Sequence, residues 1–267
     1  MPLIRVFRRL VKQTLFAVGL FLLLGPVWAA ETTPVLNFVG SQFPYILERS
    51  ADGRIEGIAA DLIRDIATRI DIQADIQIYP WKRAQEMVKQ GMAHVLIGPY
   101  KTPDREQYLD YSQYHFYQDH MVFYQRSQSD ITWNGKIDAL DAHSIAVVLG
   151  WSYGAAFDAK IAQLKPIQLQ TLEKCLTFVL VGRAQLCATN QRNARVTIGK
   201  ANYTEKVKML LPAISDTKGY FAFAKVLELN KLKLKFDQQL KQLIDSGIVS
   251  ELNARAGLLY QVESAVE

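Results

Sequence analysis

The stretch Thr102-Pro103-Asp104-Arg105 puts a guanidinium where a helix is about to begin. Threonine suits the N-cap, proline the first helical position and an acid the first turn. A cation in that turn opposes the helix dipole, so its presence asks for a purpose. One purpose is chemical: a planar guanidinium can make two parallel charge-assisted bonds to a carboxylate, which the point charge of a lysine cannot. Such bonds contribute about 1.5–3 kcal/mol each. A paired grip would therefore supply much of a micromolar affinity, roughly −8 kcal/mol. The plainer alternative is a surface arginine paired with Asp104 or Glu106.

Other chemistry is less well supported. The histidines His94, His115, His120 and His143 show no tight spacing with cysteines or acids, so no metal site is expected. No GxSxG elbow is present, and no cofactor is implied. Acids such as Glu48 and Glu173 are plentiful, but none is assigned to a site by its surroundings. Cys175 and Cys187 could form a disulfide in an oxidising compartment or remain two buried thiols.

The compartment is suggested by the start of the chain. Arg5, Arg8, Arg9 and Lys12 precede an apolar stretch from about Leu15 to Leu24, then Gly25-Pro26 and the small-residue end Val27-Trp28-Ala29. That order predicts a signal peptide over residues 1–29 and a periplasmic product; the apolar core is short for a span of about 20 residues. The whole chain has 31 Lys and Arg against 26 Asp and Glu, and without the leader 27 against 26. A net charge near +1 offers nothing to nucleic acid. No later stretch reaches membrane-spanning length.

The remainder alternates strand and helix patterns. "LNFVGS" reads as a strand, and "IAADLIRDIATRI" sets Ile58, Leu62, Ile63, Ile66 and Ile70 near one helix face. "IDIQADIQIYP" alternates as a strand, "WKRAQEMVKQG" is a short helix, and "AHVLIG" is a buried strand of the parallel-sheet kind. A second series begins at "DHMVFYQRS" and runs through "SIAVVLGWSYG", "TLEKCLTFVLVGR" and "AQLCATN". "VKMLLPAIS" and "GYFAFAK" are extended, and the tail is two amphipathic helices broken at Gly247. Repeated βαβ units predict an α/β protein whose ligands lie at the carboxyl ends of strands.

In this layout the chain resembles the family 3 periplasmic solute-binding proteins, those of polar amino-acid uptake. The likeness covers nearly all of residues 34–258 and is carried by "GIAADLIRDIA", "PWKRAQEMVKQGMAHVLIG", "TPDREQYLDYS", "SIAVVLGWS", "GRAQLCATN" and "LKQLIDSGIVSELNARAG", in that order. It implies a two-lobed periplasmic-binding-protein fold of type II-like architecture, each lobe a mostly parallel sheet flanked by helices. Lobe 1 would comprise residues 34–120 and 224–258, lobe 2 residues 121–223, with hinge crossings near 117–124 and 217–225. By the same resemblance Arg105 grips a ligand carboxylate. Gly98 and Tyr100 line the first-lobe side of the cleft, and Trp81 and Phe43 lie near positions that touch ligand, with Tyr45 a further aromatic of uncertain register. Gly150, Trp151 and Ser152 form the second-lobe turn, where first-turn helix amides could meet an anion.

Two positions depart from the family's pattern. Asn190 stands where amino-acid binders place the acid that accepts the ligand ammonium, and Gln185 stands in "GRAQ" where the pattern has aspartate. Either another acid meets the ammonium or the ligand is no ordinary α-amino acid. The implied function is non-enzymatic: a monomer closes on a small carboxylate-bearing solute and is recognised by an ABC permease or a sensor. The same fold also resembles that of periplasmic cyclohexadienyl dehydratases, whose chemistry needs a carboxyl group in the cleft.

Overall fold

The computed structural model describes residues 33–258, 260 and 261; the signal peptide expected over residues 1–29 lies outside the described residues. Strand β1 (Val35–Gly40) is followed by the small hairpin β2 (Glu48–Arg49) and β3 (Ile55–Glu56). Next come α1 (Ile58–Arg69), β4 (Gln73–Ile78), α2 (Trp81–Lys89) and β5 (Val95–Tyr100). The apolar spacing noted in the sequence places Ile58, Leu62, Ile63 and Ile66 on the buried face of α1. A single turn, α3 (Pro103–Glu106), leads through β6 (Leu109–Tyr111) into the long β7 (Tyr117–Arg126).

The second series holds β8 (Ile145–Val148), α4 (Ala155–Leu164), β9 (Ile167–Leu169), α5 (Leu172–Leu180), β10 (Leu186–Asn190) and α6 (Gln191–Lys200). The chain then returns along β11 (Val207–Ala224) and ends in α7 (Asn230–Asp245) and α8 (Ile248–Arg255). The two extended segments anticipated between 207 and 225 are one strand of 18 residues. Its pairing with β7 shifts register between Leu210 and Ser215, around Pro212, which has no N–H to give the ladder.

Hydrogen bonding joins the strands in the order β4-β1-β5-β11-β7-β10-β8-β9, with β6 also on β11. The outer pairs, β4 with β1, β1 with β5, β10 with β8 and β8 with β9, are parallel. The centre is antiparallel, since β11 pairs antiparallel with β5, β6 and β7, and β7 with β10. Crossover helices enforce the parallel pairs. The two long strands simply pass each other in opposite directions, which makes one continuous curled sheet out of the sheets of a two-lobed α/β fold.

Three bodies of apolar packing flank this sheet. Around β1 and β5, Phe38, Val95 and Ile97 pack with α1 and with Phe236 and Leu240 of α7, so the C-terminal helices return to the first half. At the other end, period-two alternation feeds two cores at once. Val122 and Tyr124 of β7 meet Cys175, Leu176 and Val179 of α5 on one face. Met121 and Phe123 meet Tyr153 and Phe157 on the other. A disulfide joins Cys175 on α5 to Cys187 on β10, with the sulfurs 2.02 Å apart. Gly219 explains how β11 passes close to β7: a Cβ there would lie 1.8 Å from the Tyr117 ring.

Candidate functional site

The apolar run of β5 ends at Gly98-Pro99-Tyr100, and α3 begins three residues later, at Pro103. Thr102 is its N-cap, its hydroxyl oxygen accepting from the Arg105 backbone N–H at 3.3 Å. That cap orients the first turn inward and leaves Arg105 only 6% exposed. The guanidinium Nη1 donates to the Tyr100 carbonyl at 2.9 Å and Nη2 to the Gly150 carbonyl at 3.1 Å. Its carbon lies 5.6 Å from the centre of the Trp81 ring. Asp104 and Glu106 are exposed, and among the described residues no carboxylate pairs with Arg105. The surface pairing considered from the sequence is therefore not the arrangement found.

Beside Arg105 is a small cavity of about 20 Å³, room for about one water molecule, and the wider cleft next to it, about 1300 Å³, shares Tyr100, Arg105, Trp151 and Ser152. Phe43, Trp81, Gly98 and Tyr100 line the small cavity from the β1–β5 side. Trp151, Ser152 and Asn190 line it from the β8–β10 side. Phe43 and Trp81 meet edge to face at 5.4 Å, forming one apolar corner. Gly150 sits at the rim rather than in the wall. Its carbonyl accepts from Trp81 Nε1 at 3.0 Å as well as from Arg105, so two side chains of the first half hold the turn of the second.

Tyr117 and Arg192 also line the cavity, and sequence reasoning did not select either. Arg192 is the second residue of α6, two positions after Asn190. Its Nε and Nη2 donate to the two carboxylate oxygens of Asp119 at 2.9 and 2.6 Å, and its Nη1 donates to the Pro44 carbonyl at 2.8 Å. Its guanidinium carbon lies 5.3 Å from the Tyr117 ring centre. Both charged side chains are almost fully buried, 3% exposed for Arg192 and 1% for Asp119. The Tyr100 hydroxyl donates to Asp119 as well, at 2.6 Å, and the Tyr117 hydroxyl to the Gly98 carbonyl at 2.7 Å. Burial and the Asp119 charge push the Tyr100 phenol well above its ordinary pKa. Burial alone would lower the Arg192 pKa, but Asp119 outweighs it and holds the guanidinium above its usual value.

The signal that singles out Arg105 also marks Arg192, a cation in the first turn of a helix. Asp119 could have been found from its strand, where it alternates with the apolar residues Tyr117 and Met121 on buried positions.

Several anticipated neighbours do other work. Helix α4 begins only at Ala155, with Gly154 as N-cap, so Gly150, Trp151 and Ser152 precede it. The turn before that helix is held by the Asp158 carboxylate, which accepts from the Tyr153 backbone N–H at 3.0 Å and from the Ser152 hydroxyl. Asn190 is the N-cap of α6, its Oδ1 accepting from the Asn193 N–H at 2.8 Å. Gln185 is exposed, and its Oε1 accepts from the Ser144 N–H at 2.9 Å. Tyr45 holds a left-handed backbone (φ 66°), has Arg195 over its ring and does not line the cavity. The Glu48 carboxylate accepts from the Tyr45 N–H, and Glu173 lies in the exposed first turn of α5. Among the described residues no group of His, Cys, Asp and Glu is arranged to hold a metal ion. No described helix is long and apolar enough to cross a membrane.

Comparison with known proteins agrees with this architecture. The sequence profile described as "Bacterial extracellular solute-binding proteins, family 3" matches residues 38–257. Among curated protein sequences none matches the chain. A histidine kinase sensor domain with similarity to periplasmic binding proteins superposes with a TM-score of 0.74 at 16% identity, covering 86% of this chain and 99% of its own. The substrate-binding protein of an amino acid ABC transporter superposes at 0.67 with 20% identity, covering 83% and 98%. A mutant of ArgBP from T. maritima superposes at 0.69 with 20% identity, covering 84% and 95%. At these identities the structural likeness speaks for the fold, and the profile, which spans most of the sequence, speaks for descent. The chain belongs to the bacterial extracellular solute-binding proteins of family 3.

Proposed function

We propose that the protein captures a small carboxylate-bearing solute in the periplasm and delivers it to an ABC permease, with Arg105 gripping the carboxylate. The observation that carries this reading is the state of Arg105: a buried guanidinium facing a cavity, bonded among the described residues to two backbone carbonyls and beside an indole ring. Carbonyl dipoles offset part of the cost of burying a cation, and an ionised partner offsets more. Each guanidinium has five N–H groups, so Arg105 keeps donors for a ligand oxygen.

In this reading residues 34–120 with 224–258 form one lobe and residues 121–223 the other. The lobes hinge where β7 and β11 run between them. A ligand that touches Arg105 from one side and the Trp151-Ser152 turn from the other stabilises the closed arrangement, because it binds that state better than the open one. The likeness to a histidine kinase sensor domain supports a second use of the same closure, in which a signalling partner rather than a permease recognises the closed form.

The test is calorimetric titration of a ligand found by a thermal-shift screen of amino acids, opines and small carboxylates. Arg105→Ala is expected to weaken binding by about tenfold or more, which is 1.4 kcal/mol or more, while the protein stays folded. Equal affinities would remove Arg105 from the site.

A further inference from the structure

Taking the cavity beside Arg105 as the ligand site, we infer that its ligand is an organic acid with no ammonium group: a 2-oxo or 2-hydroxy acid with an apolar body. A ligand ammonium needs acceptors, and charged ones where water is excluded. Among the described residues no aspartate or glutamate lines the cavity. Glu86, Asp104, Asp158 and Asp216 line the wider cleft that shares Arg105, and of these Asp158 is engaged by the Ser152 hydroxyl and the Tyr153 N–H. Asp119, the carboxylate behind the cavity wall, already accepts from two N–H groups of Arg192 and the Tyr100 hydroxyl.

The neutral acceptors are largely taken as well. The Gly98 carbonyl receives the Tyr117 hydroxyl, and the Tyr100 carbonyl receives both Arg105 and the Tyr111 hydroxyl. Asn190 has committed its oxygen to the α6 N-terminus, so Nδ2–H is the polar group it has left for the cavity. Hydroxyl lone pairs remain, and they carry no charge.

Donors, by contrast, are in surplus. Arg105 has N–H groups beyond the two that reach carbonyls, and Asn190 adds an amide. The charge count points the same way: the wall holds two guanidinium groups, and one of them is matched by Asp119. A monoanion neutralises the other. A zwitterion brings its own cation into a cavity that already has a cation in excess. An oxo or hydroxyl oxygen at the second carbon is a neutral acceptor matched to the Asn190 amide, and the Phe43–Trp81 corner takes an apolar body.

Matched pairs make the test direct: phenylpyruvate, 3-phenyllactate and phenylalanine, then 4-methyl-2-oxopentanoate and leucine, each titrated calorimetrically into the purified protein. The oxo or hydroxy acid is expected to bind about tenfold or more tighter than its amino-acid counterpart. Asn190→Asp keeps a competent N-cap, so the variant should fold, and it is expected to shift the preference toward the amino acid by about tenfold or more. An amino acid that binds as tightly as its oxo partner overturns the inference. If its binding still falls in Arg105→Ala, the proposed site stands without this ligand class. Binding of an oxo acid that is indifferent to Arg105→Ala overturns the site itself. Binding by none of the five acids overturns the assigned class.

Discussion

The two ends of the cavity each hold a buried arginine, and the pair differ in what answers their charge. Arg192 meets Asp119 in a two-bond ion pair, reaches the Pro44 carbonyl and lies against Tyr117. Arg105 has two carbonyls and an indole. The Arg192 end has an ionised partner within the chain, whereas among the described residues the Arg105 guanidinium has none. A buried ion pair is costly to break because each partner is left stranded. A buried cation with only dipoles around it is cheaper to remove and better placed to recruit an anion.

The contrast can be broken most forcefully at Arg192. Arg192→Met strands Asp119 and is expected to cost about 3–5 kcal/mol of stability, read as a fall in the urea unfolding midpoint. Adding Asp119→Leu removes the stranded charge, and the double variant should lie well above the single one. A single variant as stable as the parent would show that the pair does not hold this end.

Arg105→Ala sharpens the comparison from the other side. Losing two hydrogen bonds to carbonyls while relieving an uncompensated charge should change stability by less than about 1.5 kcal/mol, far less than Arg192→Met, although ligand affinity falls. Smaller still, Trp81→Phe keeps an aromatic corner with Phe43 but leaves the Gly150 carbonyl without the indole donor; about 1 kcal/mol is expected.

The smallest effect lies outside the cavity and serves as a control for pH titrations of it. The His94 Nδ1 accepts from the Asn37 backbone N–H at 3.0 Å, which requires an unprotonated nitrogen there, and burial lowers its pKa. Above about pH 6.5 the imidazole is neutral in both folded and unfolded chains. As pH falls below that, the unfolded chain takes the proton first, so stability declines. Melting temperature should drop slightly between pH 7.5 and 5.5, by about 2 °C or less, and the drop should shrink in His94→Gln.

Much of this arrangement is legible in the amino-acid order because it rests on local rules. Thr102 and Pro103 specify a helix start whatever surrounds them, and the spacing of Ile58, Leu62, Ile63 and Ile66 specifies a buried face. Arg105 stands out as a cation in the wrong turn. Arg192 carries the same mark, but its partner is 73 positions away in the chain, on a strand whose pairing is not local. Asn190 shows a third kind of limit. Its identity reveals that a full negative charge is missing, yet which of its two polar atoms faces the cavity depends on the helix it caps.

What the sequence determined by itself is therefore the α/β alternation, the order of the elements and the anomalous guanidinium beside β5, since propensity, capping and periodicity act over a few residues. Tertiary structure alone decided which charges are answered. It brought Asp119 from β7 to Arg192 on α6, turned Asp158 back onto the turn before its own helix and closed Cys175 onto Cys187. Burial converts these meetings into energy, because a charge taken out of water must find its partner wherever the folded chain happens to place one.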